Sequence, residues 1–270
     1  MNFFSRRNQI LLKELVKTDF KLRYQGSVIG YLWSILKPLL LFIVMYLVFV
    51  KFLKFGGDIP HFAVALLLGM TVWNFFSEVT NVGMLSIVSR GDLMRKVSFS
   101  KEVIVFSVVA NAAINFIITL VVAVLFAIVN GVEFSWTIIF VPPLLIETVL
   151  FATGISLILA TVFVKFRDIG PIWEVAMQAG LYATPIIYPV SLLVGNTNII
   201  VAKMALMNPM AQIIQDLRYV LTFSNNTNPT VWQVVHNPLL IAIPYILPFL
   251  VFLLGWYIFN KNSDRFAEIV

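Results

Sequence analysis

The chain has 270 residues, of which 60% are hydrophobic and only 12% are charged. Soluble domains contain about 25% charged residues, and even a 300-residue soluble fold leaves roughly a quarter of its surface in water. The composition therefore excludes an ordinary soluble protein. There is no cysteine, which excludes disulfides and thiolate metal sites, and the net charge of +6 raises the question of an anionic partner.

The first 27 residues are basic and precede the first long apolar run. On a helix, residues 11–22 separate an apolar face from a lysine ridge, with Leu11, Leu12 and Leu15 on one side and Lys13, Lys17 and Lys21 on the other. Region 1–27 is thus predicted to hold an amphipathic helix lying in the membrane interface, apolar side down. The alternative is a solvated basic leader. We expect no cleavable signal peptide, because an h-region and a small-residue cleavage site are lacking.

A helix needs about 20 apolar residues to cross the hydrocarbon core of a membrane. Six segments reach that length: 28–50, 61–88, 103–129, 138–164, 169–188 and 238–259. We therefore predict an all-α polytopic membrane protein with six transmembrane helices, a transmembrane domain at 28–260 and a cytoplasmic tail at 261–270. Within two of the spans, "VVANAAINF" and "FATGIS" supply small residues that allow helices to approach closely.

Lysine and arginine are divided unequally between the two sides of the predicted membrane. Fourteen lie in the alternate segments 1–27, 90–101, 165–167 and 261–270. The other side has four: Lys51, Lys54, Lys203 and Arg218. Because the basic side faces the cytoplasm, we expect both termini to be cytoplasmic. The positive charge thus indicates topology and contact with anionic lipid, and we expect no nucleic-acid partner.

The longest connection between predicted spans covers residues 189–237. Its apolar pieces, "VSLLV", "NIIVAKMALM" and "AQIIQDLRYVLTF", are too short to cross a bilayer. They predict re-entrant or interfacial helices at about 190–222, on the outer side and before the last span. The turn-rich stretch "SNNTNPT" at 224–230 interrupts them.

No motif for chemical catalysis is present in the sequence. The phosphate-binding pattern G-x-x-x-x-G-K-[ST], the zinc pattern H-E-x-x-H and the nucleophile pattern G-x-S-x-G are all missing. His61 and His236 are far apart and predict no metal site. We therefore expect the chain not to be an enzyme. If its function requires energy, a partner or an ion gradient must supply it.

Four ionisable residues fall within or near the predicted spans: Lys37, Glu78, Glu147 and Glu174. A charge in hydrocarbon costs roughly 2.5–3.5 kcal/mol on the insertion scale, so each residue is a functional candidate. Each also has a structural alternative. Lys37 can extend its stem to the cytoplasmic headgroups, and the glutamates can pair with a Lys or an Arg.

Two further patterns have both a structural and a functional interpretation. Phe42, Tyr46 and Phe49 share one face of the first predicted span, either for packing or to stack on sugar rings in a wet cavity. The stretch "RGDLMRKVSFSKEVIV" at 90–105 is a compact charged turn between two spans. It is either a solvated loop or a short helix that docks into a groove on a partner.

Four stretches together resemble one family: "LRYQGSVIGYLWSILKPLL" (22–40), "LMRKVSFSKEVI" (93–104), "RDIGPIWEVAMQAGLYATPIIYPVS" (167–191) and "NPMAQIIQDLRYVL" (208–221). The family comprises the permease subunits of type-two ATP-binding-cassette exporters of cell-surface polysaccharides, namely O-antigen, capsule and teichoic acid. The order and spacing of the stretches resemble this family over nearly the whole chain. One departure is Ser100, where the resemblance leads us to expect proline.

The resemblance implies a bacterial inner-membrane protein that pairs with a second copy around a central path. Each copy would dock on a separate ATPase subunit that binds ATP and Mg²⁺, so the chain itself needs no cofactor. The N-terminal helix would shape a cytoplasmic gate, and the 190–222 helices would cap the outer side. The 90–101 segment would be the coupling helix seated in the ATPase, through Arg90, Asp92, Leu93, Arg95, Lys96, Phe99 and Lys101.

The implied substrate is an undecaprenyl-linked polysaccharide that passes aromatic side chains on its route. The aromatics expected on this path are Phe42, Tyr46, Phe49, Trp73, Tyr182 and Tyr188. The residues expected to meet the lipid-linked pyrophosphate at the gate are Arg7, Arg23, Tyr24 and Lys37. Lys37 would then face the path instead of lipid, and Pro38 would bend the helix beside it.

Two other classes of function stay open at this stage. An ion-coupled secondary transporter would use the intramembrane glutamates and run on a proton gradient without ATP. A membrane-embedded transferase or phosphatase for lipid-linked sugars would need a nucleophile or a metal cluster, and the two isolated histidines argue against it.

Overall fold

The computed structural model describes residues 5–23, 25–54, 59–196, 199–222 and 229–269, which form helices and turns without a β-strand. The α-helices in chain order are α1 (Arg6–Arg23), α2 (Trp33–Met45), α3 (Phe62–Ser89), α4 (Gly91–Lys96), α5 (Glu102–Val129), α6 (Val141–Lys165), α7 (Ile169–Ala183), α8 (Val190–Asn196), α9 (Ile199–Leu206), α10 (Pro209–Thr222), α11 (Val231–Val234) and α12 (Pro238–Ile269). Short 3₁₀ turns at Gly30–Leu32 and Trp136–Phe140 precede α2 and α6, and a π-helical stretch at Tyr46–Phe52 follows α2.

Five helical segments in the described residues are long and apolar enough to span a membrane: Gly30–Phe52, Phe62–Ser89, Glu102–Val129, Trp136–Lys165 and Pro238–Phe266. They coincide with five of the six predicted spans, so an all-helical polytopic membrane protein is confirmed. The last of them continues without a break to Ile269, so most of the predicted 261–270 tail is the end of α12.

The remaining predicted span, 169–188, corresponds to α7, which ends at Ala183. Its 15 residues rise about 22 Å, less than the roughly 30 Å of the hydrocarbon core. The helix stops because Thr184 precedes Pro185, and the proline ring disfavours helical geometry at the residue before it. Thr184 is extended, with φ −85° and ψ 133°. The count of six spans stays a prediction.

Helix α3 is the central helix of the bundle. Its apolar window is 78% buried, whereas that of the first span, Gly30–Phe52, is only 6% buried. The side chains of α3 meet α5, α6, α7 and α10 in one large apolar core. The first span therefore lies at the edge of the molecule and presents most of its apolar surface outward.

Small residues bring α6 and α12 into close contact, as the "FATGIS" stretch predicts. A Cβ atom built on Gly154 would lie 2.6 Å from the backbone of Phe252, and one built on Gly255 would collide with the carbonyl of Gly154. Glycine is thus required on both sides of this crossing, because the two backbones pack directly against each other.

A fully buried arginine joins α10 to α3 and to the turn after α7. Arg218 of α10 donates from Nε to the carbonyl of Ala65 at 2.8 Å and from Nη1 and Nη2 to those of Pro185 and Ile186 at 2.7 and 2.6 Å. Its Nη1 also donates to Oε1 of Gln215 at 2.7 Å. Arg218 was counted among the four cations of the outer side, and its burial shows that its charge is not exposed to solvent. The side of the membrane on which it lies stays a prediction, and the other cations keep the same asymmetry without it.

Helix α1 packs on protein along its apolar face. Leu11, Leu12 and Leu15 contact a second core cluster formed by residues such as Met94, Phe99 and Phe266. The predicted amphipathic helix is present, but its leucine face has a protein partner and does not point only into lipid. Lys13 and Lys17 on the opposite face are exposed, as the lysine ridge predicts.

Candidate functional site

A polar cavity of about 630 Å³ lies between the first span, α3 and α5, next to the end of α1. Its polar walls come mainly from α3 and α5, through Asn74, Ser77, Glu78, Asn81, Asn115 and Thr119. Arg23 and Lys37 also line it. An apolar protein that gathers this many polar side chains around one space has a candidate site for a polar ligand.

An ion pair forms part of the wall of this cavity. Nη1 of Arg23, the last residue of α1, lies 2.5 Å from Oε1 of Glu78 on α3, and the two side chains are 33% and 26% exposed. Nδ2 of Asn115 on α5 also donates to Oε1 of Glu78, at 3.4 Å. The carboxylate therefore joins three separate helices at one point.

Lys37 adds a second positive charge to the same cavity. Its side chain is exposed and makes no ion pair with any residue that the structure describes. Helix α2 runs through Pro38, whose ring deprives the carbonyl of Ser34 of its intrahelical donor. Ser34 is itself a cavity-lining residue. The structure thus places Lys37 and Arg23 in the lining of one cavity, and their role at a gate stays a prediction.

Of the other two gate candidates, Arg7 does not line the cavity. Nη1 of Arg7 approaches Oγ of Ser98 at 3.5 Å, and Arg7 is separated from Arg23 by about 24 Å of helix. Tyr24 lies outside the described residues. The cluster Arg7, Arg23, Tyr24 and Lys37 is therefore reduced to Arg23 and Lys37 among the residues that the structure describes.

The predicted aromatic stripe on the first span exists, but it is packed and not open to the cavity. Phe42 is buried, with its ring 5.9 Å from that of Tyr46 and 5.6 Å from that of Phe126 on α5. Phe49 is half-buried against the same core, and the ammonium group of Lys51 lies 5.7 Å from the Tyr46 ring centroid.

The remaining predicted aromatics lie near α7. Trp73 of α3 lines a neighbouring cavity of about 240 Å³, and a Cβ on Gly180 would lie 2.8 Å from its ring. Tyr182 is 62% exposed. The hydroxyl of Tyr188 donates to the carbonyl of Tyr182 at 3.0 Å, so this side chain caps the end of α7. Among the predicted aromatics, Tyr182 is the most exposed, whereas Trp73 is only 7% exposed and reaches open space through the neighbouring cavity.

The 90–101 segment contains the short helix α4. Its predicted ATPase contacts fall into two groups, those that are exposed and those that contact other parts of the chain. Asp92, Arg95 and Lys96 are exposed, with Nη1 of Arg95 3.9 Å from Oδ1 of Asp92. Arg90 forms an ion pair with Asp19 of α1 instead. Leu93 is half-buried, and Phe99 is buried in the core cluster below α1.

Lys101 begins α5 beside Phe99, and its ammonium group lies 4.8 Å from the centroid of that ring. Burial lowers the pKa of Lys101, while the nearby carboxylates of Asp264 and Glu102 act in the opposite direction. Phe99, Arg90 and Lys101 thus face neighbours within the chain, so the exposed face of the segment consists of Asp92, Arg95 and Lys96.

Two functional features were not identified from the sequence. The pairing of Glu78 with Arg23 is non-local, and Glu78 is only one of three glutamates noted in the spans. Asn111 and Asn115 lie one turn apart in "VVANAAINF", and this polar pair in an apolar helix is the signal that points to the cavity. Of the other glutamates, Glu147 is buried and Glu174 is exposed without an ion pair to a described residue.

Comparison with known proteins gives the family. The model described as "ABC-2 type transporter" matches residues 10–222. The chain is 31% identical over 261 residues to the "O-antigen export system permease protein RfbA" of Klebsiella pneumoniae, covering 96% of this chain and 95% of that protein. A protein of the same name from Myxococcus xanthus is 30% identical over 204 residues, covering 76% of this chain and 77% of the relative.

The family match spans most of α1, the cavity residues on α3 and α5, and the buried arginine of α10. The five apolar helices of the described structure agree with a membrane component of a transporter. The chain therefore belongs to the ABC-2 type transporter family.

Proposed function

We propose that this chain is the membrane subunit of an ABC exporter that moves a lipid-linked polysaccharide, such as an O-antigen-like glycan, across the bacterial inner membrane. The names of its relatives support the substrate class. The main observation in support of the site is the polar cavity that both Arg23 and Lys37 line. Two cations at the junction of α1 and the first span suit the pyrophosphate of an undecaprenyl-linked glycan.

The proposed assembly contains two copies of this chain and two copies of an ATPase subunit that binds ATP and Mg²⁺. The exposed residues Asp92, Arg95 and Lys96 of α4 are the proposed contacts with the ATPase. Both termini lie in the cytoplasm, α7 with the turn after it forms a sixth span, and α8–α10 return from the outer side. Of the predicted aromatics, the exposed Tyr182 and Trp73, which lines the neighbouring cavity, are the proposed contacts with the glycan.

Closure of the ATPase pair would push on α4, and the ion pair of Arg90 with Asp19 would carry that motion into α1. Arg23 at the other end of α1 would then move at the cavity. Such a rigid-body transfer between packed helices needs no chemistry in this chain.

The test is export of the polysaccharide in cells that lack the native gene and carry a variant. Lys37→Met removes the charge and is expected to reduce export severely, whereas Lys37→Arg keeps the charge and is expected to retain most of it. Lys203→Met, on α9, is the matched control and is expected to export normally. Normal export by Lys37→Met would contradict a phosphate role for Lys37.

The transporter class is tested separately with purified protein in vesicles. Export that depends on ATP and on a co-purifying ATPase supports the proposal. Transport by the chain alone, driven by a proton gradient without ATP, would show instead an ion-coupled secondary transporter.

A further inference from the structure

The carboxylate of Glu78 occupies the position in which a ligand phosphate would meet Arg23. Its Oε1 lies 2.5 Å from Nη1 of Arg23 in the wall of the polar cavity. Carboxylate and phosphate oxygens bind the planar guanidinium group with the same donor geometry. A ligand phosphate that binds Arg23 therefore has to displace an anion that belongs to the protein.

The charges that line the cavity favour such an exchange over a permanent ion pair. Arg23 and Lys37 supply two positive charges, and Glu78 supplies one negative charge. A pyrophosphate group carries more negative charge than one carboxylate, so it gains more from both cations together. The pair is also partly exposed, so water screens it and its own contribution to stability is small.

Asn115 gives the carboxylate a second donor. Its Nδ2 lies 3.4 Å from Oε1 of Glu78, and its position on α5 is independent of α1. Thr119 one turn further on donates to the carbonyl of Asn115 at 2.9 Å. Glu78 can thus lose Arg23 and still keep a hydrogen bond, which keeps it close enough to compete again.

We infer that Glu78 competes with the anionic headgroup for Arg23. It pairs with Arg23 in the empty cavity, is displaced by the phosphate, and displaces the phosphate in turn when it pairs with Arg23 again. This inference rests on the proposed function of the cavity. A transport site must bind its cargo weakly enough to release it, and tight binding alone does not speed turnover. Glu78 therefore lowers affinity and raises the rate of release.

The test uses the full chain in phosphatidylcholine nanodiscs, with binding of farnesyl pyrophosphate measured by calorimetry. Glu78→Gln removes the competing charge and is expected to bind the probe about fivefold more tightly, as for loss of one partly exposed ion pair. In cells the same variant is expected to export the polysaccharide more slowly. Glu133→Gln, which removes an exposed carboxylate away from the cavity, is the matched control and is expected to match the unmodified chain in both measurements.

A second variant and a second probe distinguish the possible results. Glu78→Asp keeps the charge at shorter reach and is expected to give an intermediate affinity, which tests the inference even where Glu78→Gln does not fold. Inorganic pyrophosphate replaces the lipid probe in a parallel titration, and equal affinity for both would assign the site to free phosphate.

Two results would overturn different statements. If Arg23→Gln weakens binding while Glu78→Gln and Glu78→Asp leave the affinity unchanged, the cavity binds the headgroup but Glu78 is no competitor. If Arg23→Gln and Lys37→Met both bind farnesyl pyrophosphate like the unmodified chain, the proposed anion site itself is wrong and the competitor role fails with it.

Discussion

Asn8 and Ser100 join the N-terminal helix to the start of α5 by a two-way contact. Nδ2 of Asn8 donates to Oγ of Ser100 at 2.9 Å, and the backbone N–H of Ser100 donates to Oδ1 of Asn8 at 3.4 Å. Asn8 is only 1% exposed, so its amide depends on these partners instead of water. Ser100, where the family resemblance predicts proline, therefore has a specific role in this structure.

Ser100→Pro is expected to destabilise this junction. Proline removes both the hydroxyl and the backbone N–H, and the buried amide of Asn8 would lose partners at a cost of about 1–3 kcal/mol. We expect a lower melting temperature of the purified chain and faster hydrogen exchange along α1. Ser100→Ala keeps the backbone donor and is expected to have a smaller effect.

The control for this prediction is Thr18→Ala, which changes an exposed residue of the same helix. It is expected to leave both measurements unchanged. Unaltered hydrogen exchange of α1 in Ser100→Pro would show that the contact does not hold the helix.

Arg218→Lys is expected to destabilise the packing of α10 strongly. The guanidinium group serves four oxygen acceptors, those of Ala65, Pro185, Ile186 and Gln215. An ammonium group is too compact to reach all of them, and leaving buried acceptors unpaired costs about 1–3 kcal/mol each. Thermal unfolding and the yield of folded protein measure the effect, with Arg265→Lys in the exposed end of α12 as the matched control.

Gly69→Ala tests the same cluster from the opposite side. A Cβ at this position would lie 2.7 Å from Nη2 of Arg218, which its acceptors prevent from moving away. We expect destabilisation, and we expect the double variant with Arg218→Lys to lose less than the sum of the two, because both changes disturb one cluster. Strict additivity would contradict this coupling.

Gly154→Ala is expected to disrupt the crossing of α6 and α12. The added Cβ would lie 2.6 Å from the backbone N and Cα of Phe252, and a backbone has no rotamer to escape into. Overpacking of this kind costs about 1–3 kcal/mol. Thermal unfolding measures it, and Gly170→Ala is the control, because its Cβ would meet side-chain atoms and no backbone, namely Phe163 at 3.3 Å and Met84 at 4.0 Å.

Tyr245→Phe is expected to weaken the attachment of α10 to α12. The hydroxyl of Tyr245 donates to Oδ2 of Asp216 at 2.5 Å and accepts from Nε1 of Trp232 at 2.9 Å. Loss of a hydrogen bond to a charged group costs about 1.5–3 kcal/mol. Tyr257→Phe removes an exposed hydroxyl from the same helix, and equal melting temperatures for the two variants would show that the Asp216 contact adds no stability.

Much of the helical framework could be predicted from the sequence, because long apolar runs have few structures available in a membrane. Five spans were located in this way, and the small residues around Gly154 correctly indicated a close crossing. The end of α7 was missed because "TPIIYP" carries no charge and so extends the predicted span. Hydropathy does not register that Pro185 stops the helix at Ala183.

The candidate site could be predicted only in part. Arg23 and Lys37 were selected together because the family resemblance implies a cytoplasmic gate where the first span begins, and both line the cavity. Glu78 and Asn115 lie on other helices, and no periodicity indicates which helix faces which. The same holds for Phe42, whose place in an aromatic stripe was evident but whose packing on Phe126 depends on the tertiary fold.

The unequal burial of α3 and the first span has a consequence for the cavity between them. One wall belongs to a helix enclosed on nearly every side, while the other belongs to a helix with few neighbours. Tilting the first span replaces one apolar contact with another at little cost in free energy. Displacing α3 would instead break the packing of the core. Any widening of the cavity is therefore one-sided: the first span moves and carries Lys37 with it, while the α3 backbone that bears Glu78 stays in place.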